Sequence, residues 1–414
     1  MKHFDTITLH EAVVTAVEKA KRKEGSRRVL LTEALGCILA KDIIAKKNLP
    51  SFDNSAMDGF AFRHKEAGRT LCVAKSIFAG EVPEPILKEN ECYKIMTGAQ
   101  IPSDVDTVVP IEQCTEVTQE SVTIPAEIKK GSNFRKKGEE VSVGDVLLET
   151  GTILRAAEIA LLSAQGIVAV EVVIPLRIAI VSTGDEIREP WEEASEDEIY
   201  NANAFGISAL LKHYGFTPDY VGAIPDARQG TIDFIASLKG YDVIITTGGI
   251  SQGDADFLYE GFMENGLEPL FHGINLKPGR PTMMGTMQNT FVMAMPGNPL
   301  TTMLTVHAVS IPVLYKIAGA KHCFHNSSYA RFSEDLTLRP GRTNMVIGEL
   351  KNGLFSPARH NKIGSGMLTP LTESNAVVYF GESVSQVRAG ELVRVVSYTD
   401  PLRSSSNDTV YDGK

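Results

Sequence analysis

The stretch Asp242-Val-Ile-Ile-Thr-Thr-Gly-Gly-Ile-Ser-Gln-Gly-Asp-Ala-Asp256 decides how this chain is read. A β-branched run that reads as a buried strand closes in Gly248 and Gly249, and two carboxylates, Asp254 and Asp256, follow within a few residues. Glycines lack the Cβ atoms that would keep a ligand off the main chain, so backbone N–H groups here can face an anion. Asp254 and Asp256 are hard oxygen donors of the kind that hold Mg2+ on a phosphate. In an open α/β sheet, ligands settle just beyond the carboxyl ends of the strands, where this stretch places its glycines and acids. A plain Gly-Gly turn followed by solvated acids would read the same way in isolation, so the rest of the chain has to decide.

Outward from this stretch the texture is strand–helix alternation. Strands are predicted at 177–182, 220–223, 242–246, 268–271 and 290–294, and helices at 203–214, 231–237, 257–264 and 299–317. This predicts a doubly wound, mainly parallel sheet over residues 175–328. Before it, Thr8 and Glu11 form a capping box for a helix over 8–23, and weaker helical patterns recur at 30–40 and 155–165. Between them, short β-like runs at 71–77, 91–96, 107–110 and 121–124 are punctuated by prolines. The expected architecture is multidomain α/β. It consists of a helical domain (1–46 with 145–174) carrying an inserted β-rich domain (47–144), the α/β domain, a small C-terminal all-β domain (329–403) and a flexible tail (404–414).

A chain of 414 residues exceeds what one hydrophobic core supports. Its net charge of −10 excludes general nucleic-acid binding, which needs a basic face, but leaves room for a locally positive pocket. The five cysteines (Cys37, Cys72, Cys92, Cys114, Cys323) contain no C-x-x-C pair, which excludes a zinc ribbon and suits a reducing compartment. No cleavable leader and no apolar stretch of membrane-spanning length is read, so no membrane partner and a cytoplasmic location are expected.

Several carboxylates follow predicted strand ends of the α/β domain: Asp185 and Glu186 after the first, Asp226 after the second, Asp254 and Asp256 after the third. Any one alone is a turn residue or a helix cap. Gathered at one sheet edge they repel unless something positive lies between them, and a Mg2+–phosphate assembly supplies it. Complementary charge comes from Lys277-Pro-Gly-Arg280, two cations in a loop stiffened by proline and glycine. Asn298 reads as an N-cap and Pro299 as the first residue of the last helix, with Thr301 and Thr302 as added hydroxyl donors. In the β-rich segment, 52–61 is too polar for a core strand, with Asp58 before Gly59. The alternating charges of 133–140 read as a solvated face.

Taken together, residues 51–61, 95–99, 134–140, 182–186, 247–256, 277–281 and 296–299 resemble, in order and over nearly the whole chain, the molybdopterin molybdenumtransferase family, which includes the C-terminal module of gephyrin-type proteins. The resemblance implies an elongated homodimer of four-domain subunits. Such a protein takes adenylylated molybdopterin and molybdate, uses Mg2+, and releases AMP. It also implies roles. Asp185, Glu186, Asp226 and Asp256 match an acidic metal-holding cluster. Thr247, Gly248, Gly249 and Ser251 match the cradle for the pterin phosphate, and Thr183 and Gly184 match further substrate-binding positions. Lys277 and Arg280, with Pro296, Asn298, Pro299, Thr301, Arg342 and Ser365, match the substrate and oxyanion contacts. Asp58, Thr97 and Glu140 match residues that the β-rich domain lends to the cleft of the other subunit. The molybdopterin adenylyltransferase and cofactor-accepting enzymes are implied partners.

The chain also departs from that pattern. Glu140 replaces a usual aspartate, Arg280 a common lysine, and Thr301 and Thr369 usual serines. Ile347 sits where an arginine is frequent, which leaves Arg342 as the better anion contact. Two alternatives stay open at this point: a molybdopterin adenylyltransferase, and a non-catalytic dimeric scaffold of the gephyrin type.

Overall fold

β-Branched runs that carry apolar residues at every position can be strands only if both their faces are covered, and this decides the architecture around residues 178–317. The computed structural model describes residues 6–225, 227–249 and 257–397. They divide into two compact units, residues 42–149 with 160–167 and the remainder. In the larger unit the α/β domain runs β1 (Ile178–Thr183), α1 (Ala202–His213), β2 (Asp219–Ile224), α2 (Arg228–Ser237), β3 (Val243–Thr247), α3 (Phe257–Glu264), β4 (Leu267–His272), β5 (Met283–Met287), β6 (Thr290–Met295) and α4 (Pro299–Thr305). The six strands pair in the order β2-β1-β3-β6-β5-β4. The pairs β2–β1, β1–β3 and β3–β6 are parallel, and the β4–β5 and β5–β6 pairs antiparallel.

Alternate residues of the central strands serve different cores. Ile178, Ile180, Val243 and Ile245 pack with Ile207 and Leu211 of α1 and Leu300 and Leu304 of α4. Ala179, Val181, Ile244 and Val292 pack with Ile235 of α2 and Leu258 and Phe262 of α3. That is a doubly wound sheet. The chain leaves β1 for β2 on one side and returns to β3 on the other, so the strand order reverses between β1 and β3.

The last helix continues from α4 through a wide π-turn at Val306–Ser310 into Ile311–Ile317. By length and hydropathy this 19-residue run could cross a bilayer, a reading the sequence pattern did not give, yet 83% of its 18-residue apolar window is buried inside the protein. Within it His307 stacks on His325 at 4.1 Å, both buried.

The capping box forms as predicted, Thr8 and Glu11 closing the start of Leu9–Lys19. The helix predicted at 30–40 does not form. Ser26–Leu30 is instead a strand antiparallel to Ala169–Val173, and a single 3-10 turn, Leu31–Glu33, precedes Gly36 at φ 77°. The segments 1–46 and 145–174 are therefore of mixed texture, not helical throughout. The C-terminal β region pairs Thr343–Lys351, Leu354–Pro357, Ser328–Phe332, Leu392–Ser397 and Ala376–Phe380, with the last returning to the first to close a barrel. Leu276–Lys277, from the basic loop, is laid alongside Thr343–Asn344 as an extra parallel strand.

The smaller unit holds a five-stranded sheet in the order Thr107–Pro110, Gly59–Phe62, Glu91–Ile95, Thr70–Ile77, Ser121–Thr123. The expectation that 52–61 is too polar for a core strand fails at its end: Gly59–Phe62 is fully buried in that sheet. Only glycine fits at its start, since a Cβ on Gly59 would lie 1.9 Å from the Val109 carbonyl oxygen.

Candidate active site

The reversal of strand order leaves a crevice at the carboxyl ends of β1 and β3, and a cavity of about 600 Å3 occupies it. Thr183, Gly184, Asp185 and Glu186 line it from the end of β1, Pro225 from β2, and Thr247, Gly248 and Gly249 from β3. Pro296, Gly297, Asn298 and Pro299 complete it from β6 and the start of α4. These are the residue types and strand ends that the sequence pattern singled out. Ser251, Asp226, Asp254 and Asp256 lie outside the described residues.

Gly248 and Gly249 earn their place differently from the sequence-based expectation. Both have left-handed backbones (φ 86° and 61°), and a Cβ on either would come within 2.7 and 2.9 Å of Thr183 Oγ1. They are glycines because the turns after β1 and β3 touch: Thr183 Oγ1 donates to the Thr247 carbonyl at 3.0 Å. The Gly248 N–H donates to the Met295 carbonyl at 3.0 Å, which ties in β6. Asn203 Nδ2 donates to the Gly297 carbonyl at 2.7 Å, fixing the turn before α4.

Asp185 and Glu186 are exposed on the crevice, and neither carboxylate pairs with a cation among the described residues, although Arg188 Nη1 donates to the Asp185 main-chain carbonyl at 3.1 Å. Glu186 folds back over Gly184, with Oε2 2.7 Å from where a Cβ would stand. Among the described residues no three His, Cys, Asp or Glu side chains converge as a metal site. The two acids do offer hard, unpaired oxygens, a donor set suited to Mg2+.

Asn201 is a site residue that the sequence reading missed. It caps α1, with Oδ1 accepting from Ala204 N at 3.2 Å. Its buried Nδ2 donates to Ser182 Oγ at 2.9 Å and to Glu189 Oε1 at 3.2 Å, and it lies 2.9 Å from the Tyr220 hydroxyl. Tyr220 in turn donates to Glu189, and burial, reinforced by that carboxylate, pushes its phenol up to about 12. The network anchors the loop that carries Asp185 and Glu186. The available signal was an Asn just ahead of the predicted helix at 203–214.

A second cavity of about 310 Å3 lies beside the first, lined by Lys277, Pro278, Leu300, Asn344, Asn361 and Ser365 among others. The two share the basic loop, with Pro278 on the smaller and Pro281 on the larger, and the start of α4. Asn298 Nδ2 donates to Ser365 Oγ at 3.0 Å between them. Asn298 is thus the N-cap residue by position, but its side chain makes no cap bond; it reaches across to Ser365.

Three of the expected contact residues stand off both cavities. Arg280 is exposed and lines neither cavity, although its carbonyl organises the loop by accepting from Ile274 N and Thr282 N, each at 2.9 Å. Thr301 is buried and lines neither cavity, its N–H and Oγ1 donating to the Ser365 carbonyl at 3.4 and 3.5 Å. Arg342 lines neither cavity; its carbonyl accepts from Asn344 Nδ2 at 2.9 Å.

In the smaller unit, Asp58 and Thr97 come together. Asp58 Oδ1 accepts from Thr97 N at 2.6 Å and from Thr97 Oγ1 at 2.7 Å. The backbone bond, then the hydroxyl, holds the Asp58 carboxyl below the usual carboxylate range. Glu140 is exposed, with its N–H bonded to the Leu49 carbonyl at 3.0 Å.

Three family descriptions match in succession: "MoeA N-terminal region (domain I and II)" over residues 7–166, "Probable molybdopterin binding domain" over 179–316, and "MoeA C-terminal region (domain IV)" over 329–398. The chain is 31% identical over 403 residues to the molybdopterin molybdenumtransferase of Haemophilus influenzae, covering 96% of this chain and all of that one. It is 31% identical over 378 residues to the protein of that name from Staphylococcus epidermidis, covering 88% and 90%. The crystal structure of the molybdopterin biosynthesis moeA protein from Pyrococcus horikoshii superposes with a TM-score of 0.81 at 27% identity, covering 95% of this chain and 100% of that one.

Proposed function

The chain belongs to the molybdopterin molybdenumtransferase family, a transferase that inserts molybdenum into molybdopterin, and we propose that it does so in the crevice and the smaller cavity beside it. The substrates in this reading are adenylylated molybdopterin and molybdate, and AMP is released with Mg2+. The observation that carries it is the joining of two unlike cavities by one hydrogen bond. Beyond the glycine turns lie unpaired acids, and past the Asn298–Ser365 bond lies a pocket with a lysine unpaired among the described residues.

The glycine turns after β3 and β6 orient the phosphate-bearing end of the pterin nucleotide at the sheet rim. Asp185 and Glu186, with Asp226 and Asp256 by resemblance, would hold Mg2+, which supplies Lewis-acid stabilisation of charge at the pyrophosphate link. Lys277 holds the molybdate dianion by charge-assisted hydrogen bonds. Ser365 Oγ accepts from Asn298, which leaves its own hydrogen to donate to an oxyanion. Arg280, Thr301 and Arg342 are left out of direct contact in this reading. We place the reaction in the cytoplasm and in a homodimer, through which Asp58, Thr97 and Glu140 would serve the cleft of the other subunit.

The test is incubation of the full-length protein with adenylylated molybdopterin, Mg2+ and molybdate, following AMP and incorporated molybdenum. Lys277→Ala should raise the molybdate concentration needed for half-maximal AMP release about tenfold, the worth of one charged hydrogen bond. An unchanged molybdate dependence would remove Lys277 from the oxyanion role, and no AMP from the parent would end the reading.

A further inference from the structure

Arg359, His360 and Asn361 are three successive non-glycine residues in the left-handed region, at φ 50°, 54° and 59°. L-residues visit that region singly, and a run of them is held only where its surroundings over-determine it. Here the anchors are visible. The Arg359 guanidinium grips Glu373 through Nε (3.0 Å) and Nη2 (2.5 Å) and donates to Thr369 Oγ1 at 2.8 Å. His360 Nδ1 lies 2.7 Å from Glu334 Oε2. The third residue, Asn361, is half-buried and faces the smaller cavity with Lys277 and Ser365. Backbone strain kept by side-chain anchors beside a ligand pocket is a mark of function.

The polar groups of that cavity are not equally available. Asn344 Nδ2 is taken up by the carbonyls of Arg339 (3.1 Å) and Arg342 (2.9 Å). Ser365 Oγ already accepts from Asn298. The Asn361 amide has no partner among the described residues. Next to one cation, an uncommitted amide adds two N–H donors without a second charge. Ile347, buried in the barrel wall, supplies none.

We propose that Asn361 is a binding residue of the smaller cavity, donating its side-chain amide to the tetrahedral oxyanion held by Lys277, and that the left-handed turn exists to present it there. This rests on the proposed function for the identity of the anion.

Asparagine is also the non-glycine residue best suited to a left-handed backbone, so a purely conformational role has to be separated from a binding one. Asn361→Gly separates them because glycine keeps the turn and loses the amide. Asn361→Asp keeps the shape and places a carboxylate before the anion. Sodium molybdate is titrated calorimetrically into the full-length parent and both variants, with thermal unfolding as the control for folding. The expected result is about tenfold weaker molybdate binding in Asn361→Gly with no loss of thermal stability, and a larger loss in Asn361→Asp. Parental affinity in the glycine variant, or equal affinity in both variants, would overturn the inference. AMP release by the same parent sample judges the reaction assignment separately, since binding of the anion alone does not depend on turnover.

Discussion

Replacing Gly248 by alanine tests whether the crevice is built by contact between the turns after β1 and β3. Gly248 sits at φ 86°, and a Cβ there would approach Thr183 Oγ1 to 2.7 Å and the Thr183 carbonyl oxygen to 3.1 Å. Placing alanine in a left-handed backbone costs about 1–2 kcal/mol. Pushing Thr183 aside breaks its bond to the Thr247 carbonyl, about 1 kcal/mol more. Gly248→Ala should therefore destabilise the domain by roughly 2–3 kcal/mol. Thr183→Ala alone loses only the hydrogen bond, about 1 kcal/mol. If the two changes were independent, the double variant would lose roughly 3–4 kcal/mol; because Thr183→Ala already removes the clashing atom, it should lose about 1 kcal/mol less than that. Urea unfolding can be followed through Trp191, the only tryptophan of the chain, which lies on the loop after β1 and packs edge-on against Phe205 of α1 at 5.9 Å. Strict additivity in this cycle would refute the contact, and with it the reason given for both glycines.

Two further outcomes follow from titrating groups. His307 and His325 are stacked and fully buried, and burial lowers both, His325 to about 4. Their unfolded forms bind protons near pH 6.5, so this stability is present above that value and fades as pH falls toward 4; at pH 5 the loss from His325 alone is about 2 kcal/mol. Urea midpoints at pH 7.5 and 5 should differ by more in the parent than in His325→Gln, and equal differences would rule out the buried pair as the source. In the smaller unit, Thr97→Ala should raise the Asp58 pKa only part of the way to an ordinary carboxylate, because the backbone N–H, the larger cause, remains. A carboxyl NMR titration reads this directly; an unmoved pKa, or one fully restored, would contradict the assignment.

Most of the α/β domain was legible because its parallel strands are buried on both faces, and a doubly buried strand leaves an uninterrupted apolar run. Val243–Thr247 and Ile178–Thr183 declare themselves that way. The strand Met283–Met287 did not: Met-Met-Gly-Thr-Met has no β-branched run, and Gly285 is there because a Cβ would stand 2.7 Å from the Glu268 carbonyl oxygen. Gly59–Phe62 was misread because the polar residues before it belong to other elements, Asn54–Ser55 to a short strand paired with Phe134–Arg135 and Asp58 to the bend that follows, while the strand itself is apolar. The helix expected at 30–40 had the right apolar spacing but too few residues before Gly36 to propagate, and pairing of Ser26–Leu30 with Ala169–Val173 won.

For the site, strand ends could be located from sequence, and with them Thr183 to Glu186, Thr247 to Gly249 and Pro296 to Pro299. What a linear pattern cannot give is the direction of a side chain in a tight loop. Lys277 and Arg280 stand three apart in one stiff turn, yet Lys277 alone faces a cavity, because Leu276–Lys277 is pinned as a strand beside Thr343–Asn344. Asn298 could be placed at the helix start, but its bond to Ser365 joins segments 67 residues apart and leaves no local trace.

The placement of the cysteines bears on how a metal could pass through such a site. None of the five lines either described cavity, and burial pushes Cys92 up to about 12 and Cys114 to about 11, far from the thiolate form that binds soft metals. A protein thiolate beside the pocket would compete with the pterin for molybdenum and retain it. With lysine, serine and amide donors at the cavity instead, the proposed function has the metal gripped through its oxygens, as an oxyanion. In the proposed reaction each oxygen displaced by a sulfur of the substrate removes one acceptor for those donors, so insertion itself loosens the grip on the product while the remaining oxygens keep part of it.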